Sequence, residues 1–291
     1  MPIIVLAAIG LMAGGLVTAA SARSIAEPLG DLRRALERVE QGDLSSDVVV
    51  SHAGQIGMLQ AGFNRMLDGL RDRQQLQDLF GRHVGAEVAR EALTKARHGD
   101  ISLGGERREA SVLFVDLVGS TGLAQSQSPE RVMAALNSFF DVVVRVVAAE
   151  GGWVNKFEGD GALCVFGAPV DQPDHADRAL RAARTLRREL LVLAATGVVS
   201  LDAGIGVSSG DVVAGNVGTA ERLEYTVIGD PVNEAARLTE EAKRTLGRVL
   251  ASEEAIARAS TEERRWSVAG ELGLRGRTQT TLAYEPATSG D

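Results

Sequence analysis

Residues 3 to 20 form one uninterrupted apolar run, Ile-Ile-Val-Leu-Ala-Ala-Ile-Gly-Leu-Met-Ala-Gly-Gly-Leu-Val-Thr-Ala-Ala, with no charged side chain in it. Such a run has few ways to satisfy its surroundings. As a helix it would be about 27 Å long, close to the ~30 Å hydrocarbon core of a bilayer. Arg23, Arg33 and Arg34 follow it and nothing basic precedes it, so the positive charge assigns the C-terminal side to the cytoplasm. A secretory signal is one rival, because Ala20-Ser21-Ala22 has the small residues of a cleavage site. The basic segment that opens such signals is missing here. A buried core helix is another rival. We read residues 1–22 as a transmembrane helix that anchors the chain in the cell membrane.

The next stretch changes period. Ile25, Leu29, Leu32, Leu36 and Val39 recur at alternating intervals of four and three, and after Gln41-Gly42-Asp43-Leu44 so do Ile56, Leu59, Phe63, Met66 and Leu70. This spacing lays one apolar seam along each of two helices, as in a parallel bundle. Each helix is too short to be stable alone and needs a second chain. Pro28, the Gly42-Asp43-Leu44 connector, and Gln55-Ile56-Gly57 ahead of Phe63-Asn64-Arg65-Met66 make residues 23–75 resemble a HAMP domain. That resemblance implies a dimeric four-helix relay between a membrane and an output domain. Gln55 departs from it, since an acidic residue often opens the second helix; a plain amphipathic stalk is the alternative. Residues 76–105 read as a helical linker, with the amphipathic piece Leu79 to Val84 and a glycine-rich break from Gly99 to Gly105.

What remains is long enough to bury a sizeable core. The formal net charge of −8 and the 4% aromatic content argue against a nucleic-acid partner. An acidic protein still binds a nucleotide triphosphate if cations sit between its carboxylates and the phosphates. Cys164 is the single cysteine, so no intrachain disulfide exists, and its neighbours Leu163 and Val165 mark it as a buried strand residue. His52, His83, His98 and His175 lack the spacing of a zinc site.

From residue 106 the order of elements reads β-α-β-β-α-β. Ala110 to Asp116 is an apolar run that ends in a carboxylate, the pattern of a central strand with Asp116 at its C-terminal end. A helix from about Pro129 to Glu150 follows. Two short apolar segments then flank Gly159-Asp160-Gly161, which predicts a hairpin with Asp160 in its turn. Asp116 or Asp160 alone would be an ordinary loop carboxylate. A hairpin laid beside the Asp116 strand would bring the two together as a site for divalent ions. A second helix, about Asp174 to Leu193, carries Arg181, Arg184, Arg187 and Arg188, read mainly as a solvated face. Leu201 to Val207 is a strand, Ser209-Gly210-Asp211 a turn, and Glu224 to Leu238 a strand, turn and helix, with Pro231 in the helix's first turn. Asn233 and Arg237, four apart, share a helical face. This order predicts an α+β, ferredoxin-like catalytic domain over residues 106–288. No phosphate-binding Gly-x-x-x-x-Gly-Lys-Ser/Thr loop occurs.

Four segments, Leu113–Thr121, Asn155–Phe166, Gly204–Gly218 and Tyr225–Leu238, resemble in order the signatures of class III adenylate cyclases. What the resemblance implies is conversion of ATP to cyclic AMP and pyrophosphate with two divalent cations, Mg²⁺ or Mn²⁺. It implies that Asp116 and Asp160 hold the metals, that Lys156 and Thr226 read the purine, and that Asn233 and Arg237 support the transition state. Arg275 falls where the family has a basic residue on the terminal phosphates, with Arg277 an alternative. Thr226 stands where aspartate is common. A hydroxyl accepts from the adenine amino group as a carboxylate would, though without its charge. The family's guanylate cyclases usually carry Glu and a small residue at the two positions, so Lys156 with Thr226 favours ATP. The resemblance further implies a homodimer with two composite sites, and the basic residues after the span put the catalytic domain in the cytoplasm. Guanylate cyclase activity and a non-catalytic nucleotide-binding module are the alternatives.

Overall fold

The computed structural model describes residues 2–50, 54–85, 88–90, 94, 103–195, 201–219, 221–275 and 280–287. The chain divides into two compact units, Met1–Leu79 and Phe80–Asp291.

The first unit is built on α1 (Pro2–Glu40) and α2 (Gln55–Val84), whose last turn belongs to the second unit. Leu32 and Ala35 of α1 pack with Phe63 and Leu67 of α2 and with Val48 of the connector. The connector is strapped to α2: Asn64 Nδ2 donates to the Val48 carbonyl, the Val48 N–H returns a bond to Asn64 Oδ1, and Arg71 Nε donates to the Leu44 carbonyl. This core uses only part of the expected seam. Ile25, Leu29, Leu36, Leu59 and Met66 are left exposed. The described side chains of the apolar run Ile3–Thr18 are also exposed along α1.

The second unit contains, in chain order, β1 (Gly104–Leu117), α3 (Ser120–Ser126), α4 (Pro129–Ala149), β2 (Trp153–Glu158), β3 (Gly161–Phe166), α5 (His175–Ala195), β4 (Ala203–Gly218), β5 (Leu223–Ile228), α6 (Asp230–Ala242), β6 (Val249–Ser252), α7 (Glu253–Ala257), β7 (Trp266–Leu272) and β8 (Thr281–Pro286). The strands lie in the order β2-β3-β1-β4-β6-β8-β7, with β5 paired to β4. Its first four members, β2-β3-β1-β4, are joined as β-α-β-β-α-β, the ferredoxin-like arrangement the sequence predicts.

Alternation along the strands builds two cores. Leu113, Val115, Cys164 and Phe166 join Phe139 of α4 with Leu180 and Leu186 of α5 on one side. Val112, Leu163, Val165, Val212, Val227 and, from α6, Ala235 form the other, with Phe114 packed against it. Among the described residues α4 is the one helix long and apolar enough to cross a membrane. Its apolar content has another cause: Phe139, Val142, Val143, Val146 and Val147 are buried in the first core.

Two local expectations are corrected. Ser209-Gly210-Asp211 is not a turn, because β4 runs unbroken through it, paired to Ser111, Ala110 and Glu109 of β1. A long ladder outweighs local turn chemistry. The arginines of α5 are also more than a solvated face. Arg181 bonds Glu150 at 2.8 Å, Arg184 bonds the buried Glu262 at 2.7 Å and Arg187 bonds Asp202 at 2.6 Å, which leaves Arg188 as the exposed one.

Candidate active site

Asp116 is the penultimate residue of β1, and its ladder partners are Gly161 on β3 and Gly204 on β4. Glycine is required on the β3 side, since a Cβ at Gly161 would lie 2.8 Å from Asp116 Oδ1. The β2–β3 turn holds Asp160 directly before that glycine. Gly159 supplies the left-handed conformation of the turn with φ 64°. The turn thus sets Asp160 next to the ladder partner of Asp116, near enough for its charge to act on the Asp116 carboxyl. Burial pushes the Asp116 carboxyl above its usual range, Lys243 draws it back, and the charge of Asp160 adds to the rise.

Lys243, at the C-terminal cap of α6, places Nζ 2.5 Å from Asp116 Oδ2 and 2.9 Å from Glu240 Oε1. An ammonium therefore answers the demand for positive charge at this carboxylate. Among the described residues no group of three or more His, Cys, Asp or Glu gathers around a common point. A pair of hard carboxylate donors suits Mg²⁺ or Mn²⁺, ions that complete their shells with phosphate oxygens and water.

The second set of predicted residues lies where β2 faces β5. Lys156 Nζ is 2.5 Å from Glu224 Oε1, and Thr226 Oγ1 is 3.1 Å from Asn155 Oδ1. Asn155 also donates from Nδ2 to the Tyr225 carbonyl at 2.9 Å. Consecutive residues of a regular strand point to opposite faces. Here the β2–β3 register shifts between Val154 and Lys156, so a bulge turns Asn155 and Lys156 toward the same neighbour. Lys156 and Thr226 are thereby each tied to the strand opposite, through Glu224 and Asn155.

Asn233 and Arg237 are exposed on α6, and Glu234 between them is buried. Glu234 accepts from Ser208 Oγ at 2.6 Å and from Thr281 Oγ1 at 3.0 Å, which ties α6 to β4 and β8. The helix lies close on the sheet because β4 presents Gly204 and Gly206 to it. A Cβ at Gly206 would come within 2.5 Å of Thr239 N. Arg275 is exposed after β7, and Arg277 lies outside the described residues. No described contact joins Asn233, Arg237 or Arg275 to either of the other two sets.

Sequence reasoning missed four residues. Glu224 had a signal, since it stands two before Thr226 and shares its strand face. Asn155 had none, because only the bulge brings it round. Lys243 and Glu234 depend on how α6 crosses the sheet, which no local pattern encodes.

With this geometry in hand, likeness to known proteins is specific. The family described as the adenylate and guanylate cyclase catalytic domain matches residues 105–284, and the HAMP domain matches residues 20–72. The uncharacterized protein Rv1318c of Mycobacterium tuberculosis is 49% identical over 262 residues, covering 90% of this chain and 47% of that protein. The uncharacterized protein Rv1319c of the same organism is 47% identical over 287 residues, covering 98% of this chain and 52% of that protein. The chain thus spans about half the length of these curated relatives. Among solved structures, the guanylyl cyclase Cya2 shares 31% identity with a TM-score of 0.56, covering 65% of this chain and 96% of that one. The adenylyl cyclase CyaB from P. aeruginosa shares 26% identity with a TM-score of 0.57, covering 64% of this chain and 97% of that one.

Proposed function

The chain belongs to the adenylate and guanylate cyclase family, with a HAMP domain ahead of its catalytic domain, and from that premise we propose that it converts ATP to 3′,5′-cyclic AMP and pyrophosphate. The observation that carries the choice of ATP is the placement of Lys156 on β2 and Thr226 on β5, each bonded to the opposite strand, Lys156 to Glu224 and Thr226 to Asn155. Lys156 donates to a purine ring nitrogen, and Thr226 accepts from the 6-amino group.

Asp116 and Asp160 would hold two divalent cations, whose chemistry is to acidify the ribose 3′-hydroxyl and to clamp the triphosphate. Arg237 offsets the negative charge that grows at the α-phosphate as the 3′-oxygen attacks, and Asn233 orients the ribose. Arg275 binds the terminal phosphates that leave as pyrophosphate. In this reading each site is composite. One protomer supplies the two aspartates, and its partner supplies the purine-reading and transition-state residues. The exposed apolar side chains Leu29, Leu36, Leu59 and Met66 support a HAMP bundle completed by a second chain. The apolar run Ile3–Thr18 supports attachment to the cell membrane, with the catalytic domain in the cytoplasm.

The test supplies the full chain with ATP or GTP and Mn²⁺ or Mg²⁺, and quantifies both cyclic nucleotides, with Asp160→Ala as the inactive control. Cyclic AMP in excess from the parent alone is the expected result, and cyclic GMP in excess refutes the substrate assignment. Co-expression of Asp160→Ala with Arg237→Ala should restore part of the activity that each variant lacks alone. A mixture as inactive as its components refutes the composite site.

A further inference from the structure

We infer that Asn155 is a specificity-determining residue, which acts by fixing the direction of the Thr226 hydroxyl so that it offers the purine lone pairs only. The inference rests on the reading above that Lys156 and Thr226 face the base.

A threonine hydroxyl has one proton and two lone pairs, and free to rotate it serves donors and acceptors alike. Such a group would greet the 6-amino group of adenine and the 6-oxo group of guanine about equally. In this chain the rotation is restrained. The Tyr225 carbonyl can only accept, so the end of the Asn155 amide that faces it at 2.9 Å must be the NH₂. The amide oxygen is then turned to Thr226 Oγ1 at 3.1 Å, and an amide oxygen can only accept. The Thr226 proton is therefore committed to Asn155. Toward the base the hydroxyl presents acceptor capacity, which matches the amino group of adenine and opposes the carbonyl of guanine. The β-bulge that turns Asn155 to the side of Lys156 makes this possible. Glu224 holds Lys156 at 2.5 Å beside it, so the two base-reading side chains are each braced from the neighbouring strand.

The experiment measures kcat/KM for ATP and for GTP, and the ratio of cyclic AMP to cyclic GMP formed from an equimolar mixture, on the full chain. That ratio is independent of the fraction of active protein. Variants are Asn155→Ala, Thr226→Val and the double substitution. Asn155→Ala should lower the preference for ATP about tenfold, through release of the hydroxyl. Thr226→Val should lower it too, and adding Asn155→Ala to that background should change the ratio no further. An Asn155→Ala protein that makes ATP product with the parent's ratio overturns the inference, as does an equal fall in the Thr226→Val background. A Thr226→Val protein with the parent's ratio overturns it independently, even where Asn155→Ala yields no product. A parent that prefers GTP overturns the substrate reading itself, and so is distinguishable from failure of the role of Asn155 alone.

Discussion

The close seat of α6 on the sheet makes Gly206→Ala a sharp test of how the catalytic face is held. A Cβ at Gly206 would meet the Ala235 carbonyl oxygen and lie 2.5 Å from Thr239 N and 2.6 Å from Thr239 Oγ1, where ordinary contact begins at 3.4 Å. Two of these atoms belong to the helix backbone, which cannot turn aside as a flexible side chain would. The helix must retreat by about 1 Å, and a packed interior resists such shifts. Overpacking of this kind costs about 1–3 kcal/mol of stability. Under the proposed mechanism the functional cost is larger, because Asn233 and Arg237 ride on the same helix. A displacement near 1 Å of groups that position reacting atoms lowers rate by about 100-fold, close to 3 kcal/mol of barrier.

Thermal unfolding and steady-state kinetics on Gly206→Ala and on Gly247→Ala would decide the matter. Gly247 is the control, since its added Cβ would meet nothing nearer than Glu285 Oε2 at 3.7 Å. Gly206→Ala should lose both stability and kcat, and Gly247→Ala should stay within about 0.5 kcal/mol of the parent. A Gly206→Ala protein with the parent's stability refutes the close packing. One that is less stable yet turns over within threefold of the parent refutes the idea that α6 delivers the catalytic groups.

Three other outcomes follow from charge and burial. Burial alone would push the Asp177 carboxyl up. Bonds from the N–H groups of Glu262, Ser260 and Thr261 and from the Ser260 and Thr261 hydroxyls instead hold it well below the usual carboxylate range. A lowered folded-state value contributes stability above the unfolded value and loses it as pH falls through the folded one. Asp177→Asn should therefore cost about 3 kcal/mol at pH 7, a gap that narrows below about pH 4 in paired denaturation curves; a gap that is flat with pH refutes it. Cys164 is fully buried and its thiol is pushed up by burial, so it should not react with thiol reagents until the fold opens; labelling of native protein at the rate of a free thiol counts against this. Lys243→Met removes a cation that competes for Asp116, and Mn²⁺ binding without nucleotide, followed by electron paramagnetic resonance, should tighten roughly tenfold. Unchanged binding would show that the ammonium gives way at no cost.

The sequence made legible whatever is encoded within a few residues. The run ending at Asp116, the Asp-Gly turn at Asp160 and the helix opened by Pro231 all carry their signals locally, and the structure has each of them. Signals failed where a partner strand or helix decides. Ser209-Gly210-Asp211 has turn chemistry, yet each of its residues is held in the ladder by β1. The seam of the first unit was read as one stripe, but the chain divides it. Leu32 and Phe63 turn inward with Ala35 and Leu67, which have no place in the stripe as read, while Leu29 and Met66 stay outside. A period of three and four locates an apolar face without saying which neighbour covers each part of it.

The β2–β3 hairpin ties these levels together. Lys156 and Asp160 are only four residues apart in it, one on β2 and the other in the turn that follows. Lys156 faces β5, and Asp160 stands beside Asp116 at the other end. Under the composite-site reading these residues serve different substrate molecules, since the metals of a site and its purine-reading pair come from opposite protomers. One hairpin then touches both sites of the dimer. Its geometry is set at one end by the Asn155 bulge and at the other by Gly161 against Asp116. A small rotation of one protomer against the other would move both ends of each hairpin relative to the partner, so both sites would open or close together. Under the same reading the HAMP domain, which precedes the catalytic domain in the chain, would supply such a rotation, and a hairpin shared in this way would make the pair of sites respond as one.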